Sequence, residues 1–163
     1  MNGIGRAVWY AQWVALVGTP IWWVAASTFT GGGYGTLWAV FVAVPAFMLM
    51  LIGPIVGVAS GRLRTARAMP SSYSLITLFA WLQAWIWPLS IPTASDVSTG
   101  SSTLGALGIP ESAAIAIGNV CLIGFFLALL AGIVALIVSA VRASRPVAPS
   151  AIAPPPAPLP SES

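Results

Sequence analysis

The chain has 163 residues, 58% of them hydrophobic and only 6% charged, with six arginines, three carboxylates and a net charge of +3. A soluble domain carries nearer a quarter charged residues, so this composition, with mean hydropathy +0.95, points to lipid as the solvent. Histidine is absent and the three carboxylates fall outside the apolar runs. Metal clusters, Ser-His-Asp catalysis and an intramembrane acid for proton coupling are therefore not expected.

The expected fold is an all-α integral membrane protein with four transmembrane helices. From Ala7 to Gly61 there is no charged residue, and a spanning helix needs about 20 mostly apolar residues. That interval holds two spans, about 7–28 and 36–60, separated by "TGGGYG", Thr30 to Gly35, whose glycines remove helix propensity. Arg6 followed by an apolar run and small residues at Ala25, Ala26 and Ser27 resembles a cleavable signal peptide. The length of the run, and Gln12, Trp13, Pro20, Trp22 and Trp23 within it, favour a retained anchor.

Next comes "GRLRTARAMP", a short loop with Arg62, Arg64 and Arg67, and then a third span over 71–92 with Ser71 or Ser72 placed to cap it. The segment "TASDVSTGSSTLGALGIPES", with Asp96 and Glu111, reads as an exposed loop. Pro110 and Glu111 suit the first turn of the fourth span, 113–141. Residues 1–145 thus form the membrane domain. Beyond Arg142 and Arg145, residues 146–163 are proline-rich, and a disordered tail is expected.

Parity explains the arginines. Two spans separate Arg6 from Arg62, Arg64 and Arg67, and two more separate these from Arg142 and Arg145, so all six share one face of the membrane. By the positive-inside rule that face is cytoplasmic, as are both termini. The absence of lysine and the wealth of alanine, glycine and proline suggest a bacterial inner-membrane protein. Scattered arginines make no basic face, so nucleic acid is not an expected partner.

Two spans carry stripes of small residues that permit close helix approach. In span four Ala114, Gly118, Cys121, Gly124, Ala128, Gly132, Ala135 and Ser139 recur at three or four, with Phe125 and Phe126 placed away from them. In span two the stripe runs through Ala39, Ala43, Ala46, Gly53, Gly57 and Gly61. They serve packing within the bundle or against a partner or second copy; spacing does not choose. Cys121 reads as a small buried residue. Pro20, Pro45, Pro54 and Pro88 are sites of possible kinks.

Gln12, Gln83 and Asn119 are the amide side chains of the spans, suited to hydrogen bonds between helices. Gln83 is also a candidate ligand contact. Of eight tryptophans, Trp9 and Trp13 fall toward the inner interface, while Trp22, Trp23, Trp38, Trp85 and Trp87 fall in the outer half. An aromatic belt is the default expectation; the alternative is an aromatic pocket for a lipid or other apolar ligand. Two functions follow: a non-enzymatic accessory or assembly subunit that packs through its small faces, or a small permease or lipid binder that uses the outer tryptophans. Neither calls for a cofactor.

Overall fold

The computed structural model describes residues 3–29, 34–92 and 100–144, and every regular element among them is helical. In order these are α1 (Gly3–Phe29), α2 (Tyr34–Ala59), α3 (Gly61–Ala66), α4 (Ser71–Ile86) with a 3-10 turn (Trp87–Ser90), α5 (Thr103–Ala106) and α6 (Glu111–Ser144). The glycines at 31–33, Asp96, Arg145 and the tail 146–163 lie outside the described residues.

Two helices are long and apolar enough to cross a membrane: α2 over Thr36–Ala59, with mean hydropathy 2.5, and α6 over Glu111–Arg142, with mean hydropathy 3.0. The other two long helices fall short of that mark. Gln12, Thr19, Ser27 and Thr28 dilute α1, and α4 has only 16 residues. The main contacts run between α4 and α6 and between α1 and α2, and α4 also packs on α1. One large core joins Leu16 and Trp23 of α1, Ala39, Ala43 and Ala46 of α2, Ala80 and Ala84 of α4, and Phe125 and Leu129 of α6. A smaller one, at the arginine end, gathers Val8, Trp9, Met69, Tyr73 and Leu136.

Several local expectations need correction. Neither Ser71 nor Ser72 caps α4; Pro70 holds the cap position without a side-chain bond, and the Ser74 hydroxyl donates to the Pro70 carbonyl at 3.0 Å. Pro20, Pro45 and Pro54 lie inside continuous helices, whereas at Pro88 the α-helix tightens into the 3-10 turn and ends. The third helical segment therefore stops at Ser90 rather than 92. Phe125 is fully buried: it stands four residues after Cys121 and three before Ala128, on the same inward face as the small residues.

The arginine loop is itself structured. Arg62 and Arg64 ride on α3, and Arg67 ends it in a left-handed conformation (φ 46°). That sharp turn sends Ala68 and Met69 back under the bundle, where both are buried and the Met69 N–H donates to the Gly5 carbonyl at 3.0 Å. All three arginines stay exposed.

At the opposite end, the segment expected to be an exposed loop contains α5. Its cap, Ser102, is fully buried, and its hydroxyl accepts the Gly105 N–H at 2.9 Å. Glu111, in the first turn of α6, reaches back to the Ser102 N–H at 3.1 Å and to its hydroxyl at 3.2 Å. Glu111 thus ties α5 to α6 as well as facing the helix N-terminus. Ser102→Ala is expected to cost about 1 kcal/mol at this junction, read as faster amide exchange at Gly105 and Ala106 with the core amides of α6 unchanged.

Candidate functional site

The small-residue faces point inward, and the chain's own larger side chains occupy them. A Cβ on Gly53 of α2 would collide with the Tyr73 hydroxyl of α4, and one on Gly57 would come within 2.9 Å of the Trp9 ring. On α6, Gly118 receives Ser90, Gly124 receives the Gln83 amide, and Gly132 faces Ile76 and Tyr73 at ordinary contact distance. Ala128 is buried in the same row. At these glycines the occupants come from α4, its 3-10 turn and α1, while Ala39, Ala43 and Ala46 of α2 share the main core with Cys121 and Ala128 of α6. Gly61 departs from the pattern, for it lies beyond the end of α2, exposed, with nothing within 4 Å of a Cβ.

Four of the five outer tryptophans pack against one another, two of them, Trp23 and Trp87, buried, while Trp22 is half-buried and Trp85 is 52% exposed. Trp22 stacks on Trp85 with ring centroids 5.0 Å apart, and its indole N–H donates to the Trp85 carbonyl at 3.2 Å. Trp23 is fully buried and donates to the Ala84 carbonyl at 2.7 Å, edge-on to Trp87 and Phe125. Trp23, Trp87 and Phe125 fill the space between α1, the end of α4 and α6, and the Trp22–Trp85 stack lies at its edge. Trp38 stands apart on α2, 66% exposed. Trp9, expected at an interface, is buried against Gly57 and Met69, and Trp13 is the exposed one of that pair.

Buried polar atoms mark the interior. Gln12 is 4% exposed, yet neither its Nε2 nor its Oε1 has a hydrogen-bond partner among the described residues, nor do Thr19 Oγ1, Thr36 Oγ1 and Gln83 Oε1. Each such group carries a penalty of about 1–3 kcal/mol. Gln12 Oε1 lies 3.5 Å from where a Gly53 Cβ would stand, on the side that Tyr73 occupies. Gln83 is half-buried between α4 and α6, and Asn119 faces outward on α6. Cys121 is buried in the main core.

Two concave regions matter further. An apolar groove of about 420 Å³ opens between α1 and α2, lined by Leu16, Pro20, Val24, Val40, Val44 and Phe47 among others. At the arginine end, a pocket of about 300 Å³ lies between α3, the start of α4 and the end of α6, with Arg62 on its wall. Arg6, Arg64, Arg67 and Arg142 are exposed and line neither region. Among the described residues no group of three or more His, Cys, Asp or Glu side chains could hold a metal ion.

No family model matches the chain, and no curated protein or solved structure matches it. Fold and site together define an all-helical protein with two helices able to cross a membrane.

Proposed function

We propose that the chain is a four-span integral membrane protein of a bacterial inner membrane, with both termini cytoplasmic, that works without catalysis as an accessory or assembly subunit. The observation that carries this reading is the division between inside and outside. The chain's own side chains take up the small faces and bury Trp23 and Trp87, while α1, α2, α4 and α6 all turn large apolar residues outward, among them Val14, Phe41, Phe79 and Leu127. A protein built this way acts through the surface it presents. With its glycine faces filled, a membrane partner or second copy would meet the outward surface, where the α1–α2 groove offers an apolar recess for a packed helix.

Both remaining spans have physical support. α1 contributes Leu16 and Trp23 to the main core, so it belongs to the bundle it would leave if cleaved. α4 with its 3-10 turn contacts both α1 and α6. Reporters fused after Arg67 and after Arg145 should be active only in the cytoplasm, and one at residues 98–102 only outside; an external Arg67 fusion would refute the topology. For function, the measurement is co-purification in mild detergent followed by mass spectrometry. A stoichiometric membrane protein, or a stable homo-oligomer, is the expected result, and a strictly monomeric chain with neither would overturn the assignment.

A further inference from the structure

We propose that the pocket at the arginine end binds an anionic phospholipid, its phosphate on Arg62 and one acyl chain along the cleft between α2 and α6. The pocket joins a polar rim, Ser60, Arg62 and Ser139, to an apolar floor that includes Leu63 and Met69. A second cavity of about 490 Å³ shares Ser60, Arg62 and Ala140 with it and continues over Ile55, Val56 and Ala59 of α2. Polar head and apolar trough are thus continuous through Arg62, which is the polarity profile of a single-chain stretch of phospholipid.

Charge selects the class of headgroup. Glu111 is the single carboxylate among the described residues, and it is bound to Ser102 at the far end of the bundle. Arg62, Arg64, Arg67, Arg6 and Arg142 therefore face no described counter-charge at their own end, and basic pockets between membrane helices favour acidic lipids. The Ser139 hydroxyl already donates to the Ala135 carbonyl at 2.7 Å. Its free lone pairs then suit a headgroup that brings its own hydroxyl donors, as phosphatidylglycerol does.

This inference rests on the membrane reading but not on the orientation or on any partner. If the arginine end proved external, the topology would fail and the pocket would stand. The full chain in neutral detergent is titrated with phosphatidylglycerol, phosphatidylcholine or inorganic phosphate, with lipid adducts followed by native mass spectrometry and folding by thermal denaturation. Phosphatidylglycerol should be retained in preference to phosphatidylcholine, and inorganic phosphate should neither compete nor stabilise. Arg62→Gln should weaken phosphatidylglycerol about fivefold, the effect of one arginine near an acidic surface, without lowering lipid-free stability. Arg64→Gln makes the same charge change two residues away, off the pocket wall, and should weaken binding distinctly less than Arg62→Gln. Equal retention of the two lipids, equal losses from both variants, or full protection by phosphate alone would each overturn the proposal.

Discussion

Trp23→Ala is expected to be the most damaging single change in the bundle, costing about 3 kcal/mol or more. Trp23 has no exposed surface and packs in T-shaped contact with Trp87 and Phe125, so truncation opens a void between α1, α4 with its 3-10 turn, and α6. In lipid the penalty comes mainly from lost packing rather than from water, and a void forfeits that packing outright. Trp23→Phe keeps much of the ring contact but loses the N–H donated to Ala84, and about 1 kcal/mol should follow. Trp38→Ala is the comparison, since that ring lies outside the core and 66% exposed. Thermal unfolding in detergent should rank the variants Trp23→Ala, Trp23→Phe, Trp38→Ala from most to least destabilised. If Trp23→Ala and Trp38→Ala melt together, the inward cluster is refuted and an interfacial belt restored.

Gly53→Ala is the second large effect, because a single methyl there has no room. It would strike the Tyr73 hydroxyl, with Gln12 at ordinary contact distance, and overpacking of a tight interface costs about 1–3 kcal/mol. The severe collision is with one oxygen, the ring carbon that carries it standing at 3.0 Å, which makes the prediction specific. Tyr73→Phe removes that oxygen, so the double variant Gly53→Ala with Tyr73→Phe should recover stability relative to Gly53→Ala alone. Gly61→Ala, with nothing within 4 Å of the new Cβ, should be silent. Additive losses in the double variant would show that the contact is not what limits residue 53.

These two sites show what could be read from the sequence and what could not. Spacing alone put Gly53, Gly57, Gly118, Gly124, Ala128 and Gly132 on common faces, and those faces do turn inward. It could not say what fills them, because Tyr73, Gln83 and Ser90 carry no mark that distinguishes a filler from a surface group. Hydropathy was no guide to Phe125 or Trp23. When the solvent is lipid both sides of a helix are apolar, so the usual contrast between a wet face and a dry one fades. Only residue size retains a signal, and a large ring beside a small-residue stripe reads as excluded until the neighbouring helix is seen to have made room. The link from Glu111 to Ser102 escaped for a different reason: it joins residues across a loop, where no helical period applies. Gly61 continued the period of α2 in the sequence, but the helix ends at Ala59, so its place in the stripe was arithmetic without a backbone to support it.

On the proposed four-span reading, the unequal lengths of α4 and α6 bear on the thickness of membrane this bundle can occupy. The 16 residues of α4 rise about 24 Å, and the 3-10 turn adds about 8 Å, close to a hydrocarbon layer of about 30 Å. The 34 residues of α6 rise about 51 Å and must lean or project, with Glu111 emerging at one end and Arg142 at the other. A thinner bilayer asks only for more lean from the longer helices. A thicker one would draw the serines at both ends of α4, Ser71 and Ser72 below and Ser90 above, into hydrocarbon, and α4 has no further turn to offer. On that reading α4, the shortest of the four long helices and packed between α1 and α6, sets a ceiling on thickness but no comparable floor.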